Sequence, residues 1–410
     1  MKKFFALLLS LAMVLALVAC GQKDPTPDTP DTPDDPQTKV EYKVAMITDY
    51  GDITDQSFNQ TTYEACKAFA EDNSIEFSYF KPAGDNTADR VAMIEKAVDE
   101  GFNVIVMPGY AFGGAIVEAA PEFPDVKFIA LDVAAGALLE TAVAKAGEAY
   151  DYTPENWDLN KYVDMSNVYC AVYQEELCGY MAGYAAVKLG YKNLGFLGGM
   201  SVPAVVRYGY GFVQGVDAAA ADLGLTDVKL NYIYGGQFFG DADITAVMDT
   251  WYQGGTEVVF ACGGGIYTSA VDAAKKVGAK VIGVDVDQAG VIAKYAGVDG
   301  MTVTSAMKGL YPATYDTLTD VIVNGNWDKY VGKIATLGLV SGTDPEANYV
   351  QIPMGDGTQW SDSFTQDDYK AMVKDMFDGK ITVSNNTSSD VSAADFATVI
   401  TVDDQGSIKG

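Results

Sequence analysis

Histidine is absent from the 410-residue sequence, and arginine occurs only twice, as Arg90 and Arg207. Because histidine is the commonest general base and the commonest metal ligand, its absence argues against an enzyme and against a metal site. The net charge of −29 disfavours nucleic-acid binding, which requires a basic surface. We therefore expect a protein that performs no chemistry, uses no cofactor and does not bind nucleic acid.

Cysteine is scarce, with five residues in the whole chain, and no pair has the spacing of a zinc site. One is Cys20, near the N-terminus, and the others are Cys66, Cys170, Cys178 and Cys262. Their positions alone do not decide whether Cys170 and Cys178 form a disulfide. Buried free thiols are the expected state of these four residues.

The N-terminus is typical of a secreted protein. Two lysines precede a nearly unbroken apolar run from Phe4 to Ala19, which is short for a membrane-spanning helix, so we predict a signal peptide over residues 1–19. The run ends in the sequence LVAC at Cys20, which resembles the lipobox of bacterial lipoproteins. That resemblance implies that Cys20 is acylated and becomes the first mature residue. The alternative is an ordinary cleaved signal in which Cys20 is incidental.

Residues 20–40 alternate proline with aspartate. Proline stiffens such a segment and the aspartates repel one another, so it cannot form a packed core and is predicted to be a tether. No other segment is apolar enough to span a membrane. We therefore expect a protein on the extracytoplasmic face of the cell membrane, attached through its lipid anchor alone.

From residue 43 onward, short β-rich runs alternate with amphipathic helical segments. This alternation predicts an α/β fold with parallel sheets covered on both faces. It is interrupted at 134–166, which we expect to be irregular, and it restarts at Val168. Two doubly wound lobes joined by a hinge are the predicted architecture. The predicted boundaries are 41–168 and 305–330 for lobe 1, 169–304 and 331–383 for lobe 2, and 384–410 for a C-terminal tail, with Phe396–Val402 as a candidate closing strand.

Three of the predicted strands end in aspartate, at Asp49, Asp132 and Asp285. Ligands of parallel sheets bind beyond the carboxyl ends of the strands, and carboxylates there suit a ligand that presents donors, such as a polyol or a ribose. The alternative is that each aspartate caps the helix that follows it. Another strand ends in Gly263–Gly265, but Thr268 stands where a dinucleotide fingerprint requires a third glycine.

The segment Asp49–Gln60, with the sequence DYGDITDQSFNQ, resembles the opening motif of the basic membrane protein (BMP) family of lipoproteins. That family includes purine nucleoside receptors that serve ABC importers. The likeness spans roughly residues 43–330 and continues through Gly179–Tyr184, Leu194–Gly199, Tyr208–Gly215, Gly283–Gln288 and Thr304–Lys308.

The resemblance implies a periplasmic-binding-protein type I architecture and a nucleoside site in the cleft between the lobes. Phe58 matches the aromatic residue that stacks on one face of the base, and Tyr208 stands where the family has a phenylalanine on the other face. The remaining matches are Asp49 and Asn59 facing the ligand, Asp132 at the base edge, and Gly263, Asp285 and Lys308 at the ribose. We further expect Lys308 to offset the carboxylates.

Tyr208 departs from the family pattern, and its neighbour Arg207 has two possible roles. The hydroxyl of Tyr208 requires a partner, and the neighbouring Arg207 either pairs with local acids or adjusts specificity. The resemblance also implies that the protein delivers its ligand to an ABC permease and its ATPase, and a monomer suits that role. The alternatives are the same fold binding a free sugar, and a surface receptor or adhesin that binds another protein.

Overall fold

Short apolar strands and amphipathic helices alternate through most of the chain. The computed structural model describes residues 41–409, within which there are 13 strands and 12 α-helices. The predictions of a signal peptide, of acylation at Cys20 and of a tether concern residues 1–40, which lie outside the described residues. Within 41–409, no helix is both long enough and apolar enough to cross a membrane.

The first part of the described chain alternates strand and helix as predicted. Its elements are β1 (Lys43–Ile47), α1 (Phe58–Asn73), β2 (Glu76–Phe80), α2 (Thr87–Asp99), β3 (Val104–Pro108), α3 (Gly113–Ala119), β4 (Lys127–Leu131), α4 (Ala135–Lys145), α5 (Leu159–Tyr162) and β5 (Val168–Tyr173).

The second part repeats the alternation. Its elements are α6 (Glu175–Lys188), β6 (Asn193–Gly198), α7 (Pro203–Leu223), β7 (Lys229–Tyr234), α8 (Ala242–Gln253), β8 (Val258–Cys262), α9 (Tyr267–Val277), β9 (Lys280–Asp285), α10 (Ala289–Ala296), β10 (Thr302–Lys308), α11 (Leu310–Leu318), β11 (Lys333–Leu337), β12 (Val350–Gln351), α12 (Gln366–Phe377) and β13 (Thr401–Ser407).

The strands form two sheets, and we call the parts built around them lobe 1 and lobe 2. Lobe 1 has six parallel strands in the order β11-β5-β4-β3-β1-β2. Lobe 2 has seven strands in the order β12-β10-β9-β8-β6-β7-β13, and β12 is antiparallel to β10. Alternate residues of β1 belong to different buried clusters, with Ala45 on one side and Val44 on the other. Both faces of the sheet are therefore covered, as its continuous apolar strands predict.

Helices α6 and α7 pack unusually closely because glycines face the opposing helix. A Cβ atom at Gly211 would lie 2.1 Å from the carbonyl oxygen of Glu176, and one at Gly183 would lie 2.3 Å from that of Phe212. Gly179 and Gly215 make equivalent contacts at 2.3 and 2.1 Å. Four glycines of the Gly179–Tyr184 and Tyr208–Gly215 motifs thus face the opposing helix, and Gly211 of α7 lies against Glu176 in the first turn of α6.

The chain passes between the lobes three times, after β5, after β10 and after β11. The crossing segments are joined by backbone hydrogen bonds: the amide of Gln174 donates to the Leu337 carbonyl at 3.0 Å, and that of Gly309 donates to the Tyr349 carbonyl at 2.7 Å. The N-terminus of α6 and the end of β10 thus lie at the junction of the lobes.

The strand order differs from the predicted lobe boundaries in three places. Residues 169–173 complete β5 in lobe 1, residues 305–308 complete β10 in lobe 2, and 333–337 form the edge strand of lobe 1. The boundaries were wrong there because apolar runs predict strands but do not indicate which sheet has a free edge to receive them.

Two segments are more regular than predicted. The expected irregular stretch at 134–166 contains α4, whose sequence AGALLETAVAK is rich in strong helix formers, and the short α5. The predicted tail at 384–410 contributes β13, which pairs in parallel with β7, and the strand spans Thr401–Ser407 rather than Phe396–Val402. The prediction of free buried thiols is confirmed for Cys66, Cys170, Cys178 and Cys262.

Candidate functional site

A cavity of about 470 Å³ lies between the lobes, at the carboxyl ends of both sheets. Its size is within the usual range for small-molecule sites. All eight residues singled out from the sequence line it: Asp49, Phe58, Asn59, Asp132, Tyr208, Gly263, Asp285 and Lys308. Their ligand-binding roles remain predictions, but the fold brings them to one place from seven different elements or loops.

The strand-end aspartates do not cap the following helices. The N-cap positions of α1, α4 and α10 are Ser57, Ala134 and Gln288. Asp132 and Asp285 instead adopt left-handed backbone conformations, with φ of 62° and 65°. Such conformations are uncommon for residues other than glycine and cluster at functional sites. Here they terminate the strands at the cavity wall.

Lys308 stands at the centre of the charged part of the cavity. Its Nζ lies 2.5 Å from Asp132, 3.4 Å from Glu175 and 3.8 Å from Asp285. It also lies over the ring of Phe58, 4.6 Å from the centroid. Because the residue is only 5% exposed, these interactions are weakly screened by solvent. The expectation that Lys308 offsets the carboxylates is confirmed.

Burial and charge oppose each other in this cluster. Burial lowers the pKa of Lys308, but attraction to Asp132, Asp285 and Glu175 outweighs it, so the pKa stands above its ordinary value. Burial raises the pKa of Asp132 to about 6, although Lys308 acts in the opposite direction. The Asp132 Oδ1 atom is buried without a hydrogen-bond partner, whereas Oδ2 accepts from Lys308. Asp132 therefore retains a free acceptor at the cavity wall.

Two glutamates at the start of α6 were missed in the sequence. Glu175 is fully buried and bonds both Lys308 and Arg207, the latter through Nε at 2.7 Å. Arg207 thus pairs with a local acid, which was one of its two predicted roles. The neighbouring Glu176 is 2% exposed, and its Oε2 has no hydrogen-bond partner. The sequence signal was a pair of acids next to a predicted helix start, which on its own indicates a favourable interaction with the helix dipole.

Asp285 connects the lobes. Its Oδ2 accepts a hydrogen bond from the Ser57 hydroxyl of lobe 1 at 2.5 Å, and its Oδ1 accepts from the Tyr208 hydroxyl at 3.2 Å. This second contact provides the partner that the Tyr208 hydroxyl required. A further bond joins the Gln288 side chain of lobe 2 to the Gln56 carbonyl of lobe 1 at 3.1 Å. The lobes therefore touch across the cavity through groups that also line or support it.

The loop before α1 is ordered by its own polar groups. Asp49 Oδ1 accepts from the amides of Tyr50 and Gly51, both at 2.6 Å, and from the Asn59 side chain at 3.2 Å. Asn59 also donates to Asp55 at 3.0 Å. Burial raises the pKa of Asp49, while these hydrogen bonds lower it. Asn59 thus orients Asp49 within the cavity wall.

Aromatic rings line the cavity from both lobes. Phe58 belongs to lobe 1, whereas Tyr208 and Phe238 belong to lobe 2. Phe238 was missed in the sequence and packs against a glycine surface: a Cβ atom at Gly263 would lie 2.7 Å from its ring, and one at Gly199 would lie 2.4 Å from it. Gly263 also has φ of 142°, a conformation that favours glycine. The glycine at 263 is therefore required for the position of Phe238.

The arrangement joins strand-end acceptors, one buried ammonium group and aromatic rings in a cleft between two parallel-sheet lobes. A sequence model of the family described as Bmp, ABC transporter substrate-binding protein PnrA-like, matches residues 42–345. This chain belongs to the Bmp family. The resemblance found in the sequence is confirmed, and this chain is the substrate-binding protein of an ABC transporter.

Similar proteins agree with this assignment. This chain is 25% identical over 389 residues to the ABC transporter nucleoside-binding protein BmpA of Lactococcus lactis subsp. cremoris, covering 92% of this chain and 96% of that protein. It is 26% identical over 320 residues to an uncharacterized lipoprotein of Pyrococcus abyssi, covering 74% of this chain and 69% of that protein.

A solved structure supports the fold. A solute-binding protein of an ABC transporter system from Aeropyrum pernix K1 superposes with a TM-score of 0.63 at 18% identity, covering 85% of this chain and 95% of that one. The predicted fold class, a periplasmic-binding-protein architecture with two doubly wound lobes, is confirmed for the described residues.

Proposed function

We propose that the protein binds a purine nucleoside in the cavity between its lobes and delivers it to the permease and ATPase of its ABC importer. The observation that supports this most directly is the composition of the cavity wall, in which the rings of Phe58, Tyr208 and Phe238 accompany the carboxylates Asp132 and Asp285. A nucleoside presents a flat aromatic base, which suits the aromatic rings, and a ribose with hydroxyl donors, which suits the carboxylates.

The energetics of the wall favour a neutral ligand. Each stacked ring adds about 0.5–1.5 kcal/mol beyond burial of its area, and each hydrogen bond to a charged acceptor adds about 1.5–3 kcal/mol. Nucleotides are expected to bind poorly, because a phosphate would approach several carboxylates while the Lys308 ammonium is already engaged by Asp132 at 2.5 Å. The relative named as nucleoside-binding points to the same class of ligand.

Isothermal titration of the soluble body, starting near residue 38 and refolded to remove any bound ligand, tests the proposal. Guanosine, inosine, adenosine, uridine, ribose, guanine and adenosine monophosphate would be titrated in parallel. We expect at least one purine nucleoside to bind with micromolar or tighter affinity, while ribose and the monophosphate release little heat. Heat from ribose alone would replace the nucleoside by a sugar, and silence from every compound would favour a surface protein that binds a partner.

Substitutions in the wall test the assignment of individual residues. Phe58→Ala is expected to weaken nucleoside binding about tenfold, because it removes one stacking face and its buried area. Asp285→Asn is expected to weaken it further, since it removes a charged acceptor. Phe377→Ala, at an exposed ring that lies outside the cavity, is the matched control. Equal affinities for Phe58→Ala and Phe377→Ala would contradict the stacking role.

We also propose that Cys20 is acylated and anchors the protein on the extracytoplasmic face of the membrane. The lipobox-like sequence at the end of the apolar N-terminal run supports this, as does a relative named as a lipoprotein. Radiolabelled palmitate should label the full-length protein expressed in a bacterium, and Cys20→Ser should abolish that label. Persistent labelling of Cys20→Ser would contradict the anchor.

A further inference from the structure

The last strand of the chain extends beyond the part that matches the family. The family match ends at residue 345, whereas β13 occupies Thr401–Ser407 at the edge of the lobe 2 sheet. It pairs in parallel with β7, and the pairing continues past the strand, where the amide of Ile408 donates to the Tyr234 carbonyl at 2.8 Å. Ile408 also packs against the apolar cluster of that lobe. The end of the chain is therefore held beside the end of β7.

The segment that follows β7, residues 235–241, forms part of the cavity wall, and we call it the β7–α8 loop. Phe238 and Phe239 of this loop line the cavity. The Phe238 carbonyl accepts a hydrogen bond from the amide of Gly265 at 2.8 Å, which ties the loop to the glycine turn after β8. The position of this loop therefore decides where one aromatic ring of the cavity stands.

Lys409 connects the chain end to this loop. Its Nζ donates to the Gln237 side chain at 2.7 Å and forms an ion pair with Asp241. Gln237 in turn donates to the Phe239 carbonyl at 2.9 Å and to Asp241 at 3.0 Å. Asp241 also accepts from the amide of Ile244 and so caps α8. One lysine thus bonds both ends of the segment that includes Phe238.

The backbone of the loop fits closely against the same residue. A Cβ atom at Gly236, whose φ is 80°, would lie 2.7 Å from the Cβ atom of Lys409. A side chain at Gly236 would therefore displace the chain end. The contact between the loop and the C-terminal segment consists of packing as well as charge.

We propose that Lys409 is a positioning residue for the binding site: through Gln237 and Asp241 it holds the β7–α8 loop, and with it Phe238, in the geometry of the cavity wall. The C-terminal strand is then part of the binding apparatus rather than a tail. The effect on nucleoside affinity rests on the proposed function, whereas the effect on the loop itself does not.

Hydrogen–deuterium exchange of the ligand-free soluble body tests the effect on the loop. Lys409→Met keeps the length and apolar stem of the side chain but removes its charge, and Lys409→Arg restores the charge. We expect Lys409→Met to speed exchange in peptides that cover 235–241, with little change in α6 and α7, and we expect Lys409→Arg to restore slow exchange. Lys374→Met, which breaks an exposed ion pair with Asp378, is the matched control and should leave 235–241 unchanged.

Titration of inosine and guanosine into the same variants tests the consequence. Loss of one partly exposed charged contact that positions a ring is expected to weaken affinity about 3–10-fold in Lys409→Met, and Lys409→Arg should recover most of it. Unchanged exchange at 235–241 in Lys409→Met would overturn the proposal, as would a uniform rise across the whole protein. If the unmodified protein binds no purine nucleoside, adenosine included, the proposed function fails, while the exchange result still decides the role of Lys409.

Discussion

Glu176 offers a sharp test of how burial controls charge near the cavity. The residue lies in the first turn of α6, is 2% exposed and has an Oε2 atom without a hydrogen-bond partner. Burial raises its pKa from the ordinary value of 4.5 to about 7, and Glu175 adds to this effect while Arg207 opposes it. Glutamine at this position has nearly the same shape but no charge, so it mimics the protonated glutamate.

The shift sets the size and sign of the expected effect. Between pH 4.5 and about 7 the folded protein binds the Glu176 proton more tightly than the unfolded chain does. The contribution of the Glu176 proton to the free energy of unfolding is therefore fully present below pH 4.5 and is lost as the pH rises through 7. At about 1.4 kcal/mol for each pH unit, the loss amounts to about 3 kcal/mol.

Urea unfolding of the soluble body at several pH values between 4.5 and 8 measures this effect. Because Glu176→Gln cannot lose a proton, the variant should match the unmodified protein at pH 4.5 and exceed its free energy of unfolding by up to about 3 kcal/mol at pH 8. Asp132, whose pKa is also raised, is present in both proteins, so it does not contribute to the difference.

Glu122→Gln, at an exposed glutamate, is the matched control. Its free energy of unfolding should stay close to that of the unmodified protein at every pH. The reasoning would be refuted if Glu176→Gln changed the stability by the same amount at pH 4.5 and pH 8. A destabilisation at pH 8 would likewise show that the charged carboxylate has partners that offset its burial.

Three further predictions concern the core of the molecule. Lys308→Met should lower the free energy of unfolding by about 3–5 kcal/mol in urea, because it leaves buried carboxylates without their cation; a neutral effect would contradict the ion cluster. Gly211→Ala should cost about 1–3 kcal/mol and lower the thermal midpoint, because its Cβ would lie 2.1 Å from a backbone oxygen of α6. Gly290→Ala, where a Cβ meets nothing within 4 Å, is its control, and equal midpoints would contradict the close helix packing. A colorimetric thiol reagent should react slowly with the folded soluble body and rapidly in urea, since its four cysteines are free and buried; a fast native reaction would contradict their burial.

Local structure in this protein follows largely from local sequence. The alternation of short β-rich runs with amphipathic segments predicted the order of strands and helices, and α8 and α9 are two helices that follow this alternation. The helix at 135–145 was overlooked because the tyrosine- and aspartate-rich residues after it dominated the prediction for the whole segment. Its own alanine- and leucine-rich sequence is a sufficient helix signal.

The candidate site was predicted in part, and the division has a physical reason. Asp49, Asp132 and Asp285 could be found from the sequence because the carboxyl ends of parallel strands meet at one edge of a sheet. Phe238 could not, because it lies in a loop whose position depends on contacts with Lys409 and Gly265. Loops take their shape from the elements around them, so their sequence alone does not place a side chain.

Local sequence patterns were therefore sufficient to predict the alternation of strands and helices, the family, and the acidic strand ends at the cavity. They did not indicate that Glu175 lies between Lys308 and Arg207, or that residues 333–337 and 401–407 complete the edges of different sheets. Those contacts join residues far apart in the chain, and their energies depend on burial and on the free sheet edge available. Burial and a free sheet edge exist only after the lobes have folded around these residues.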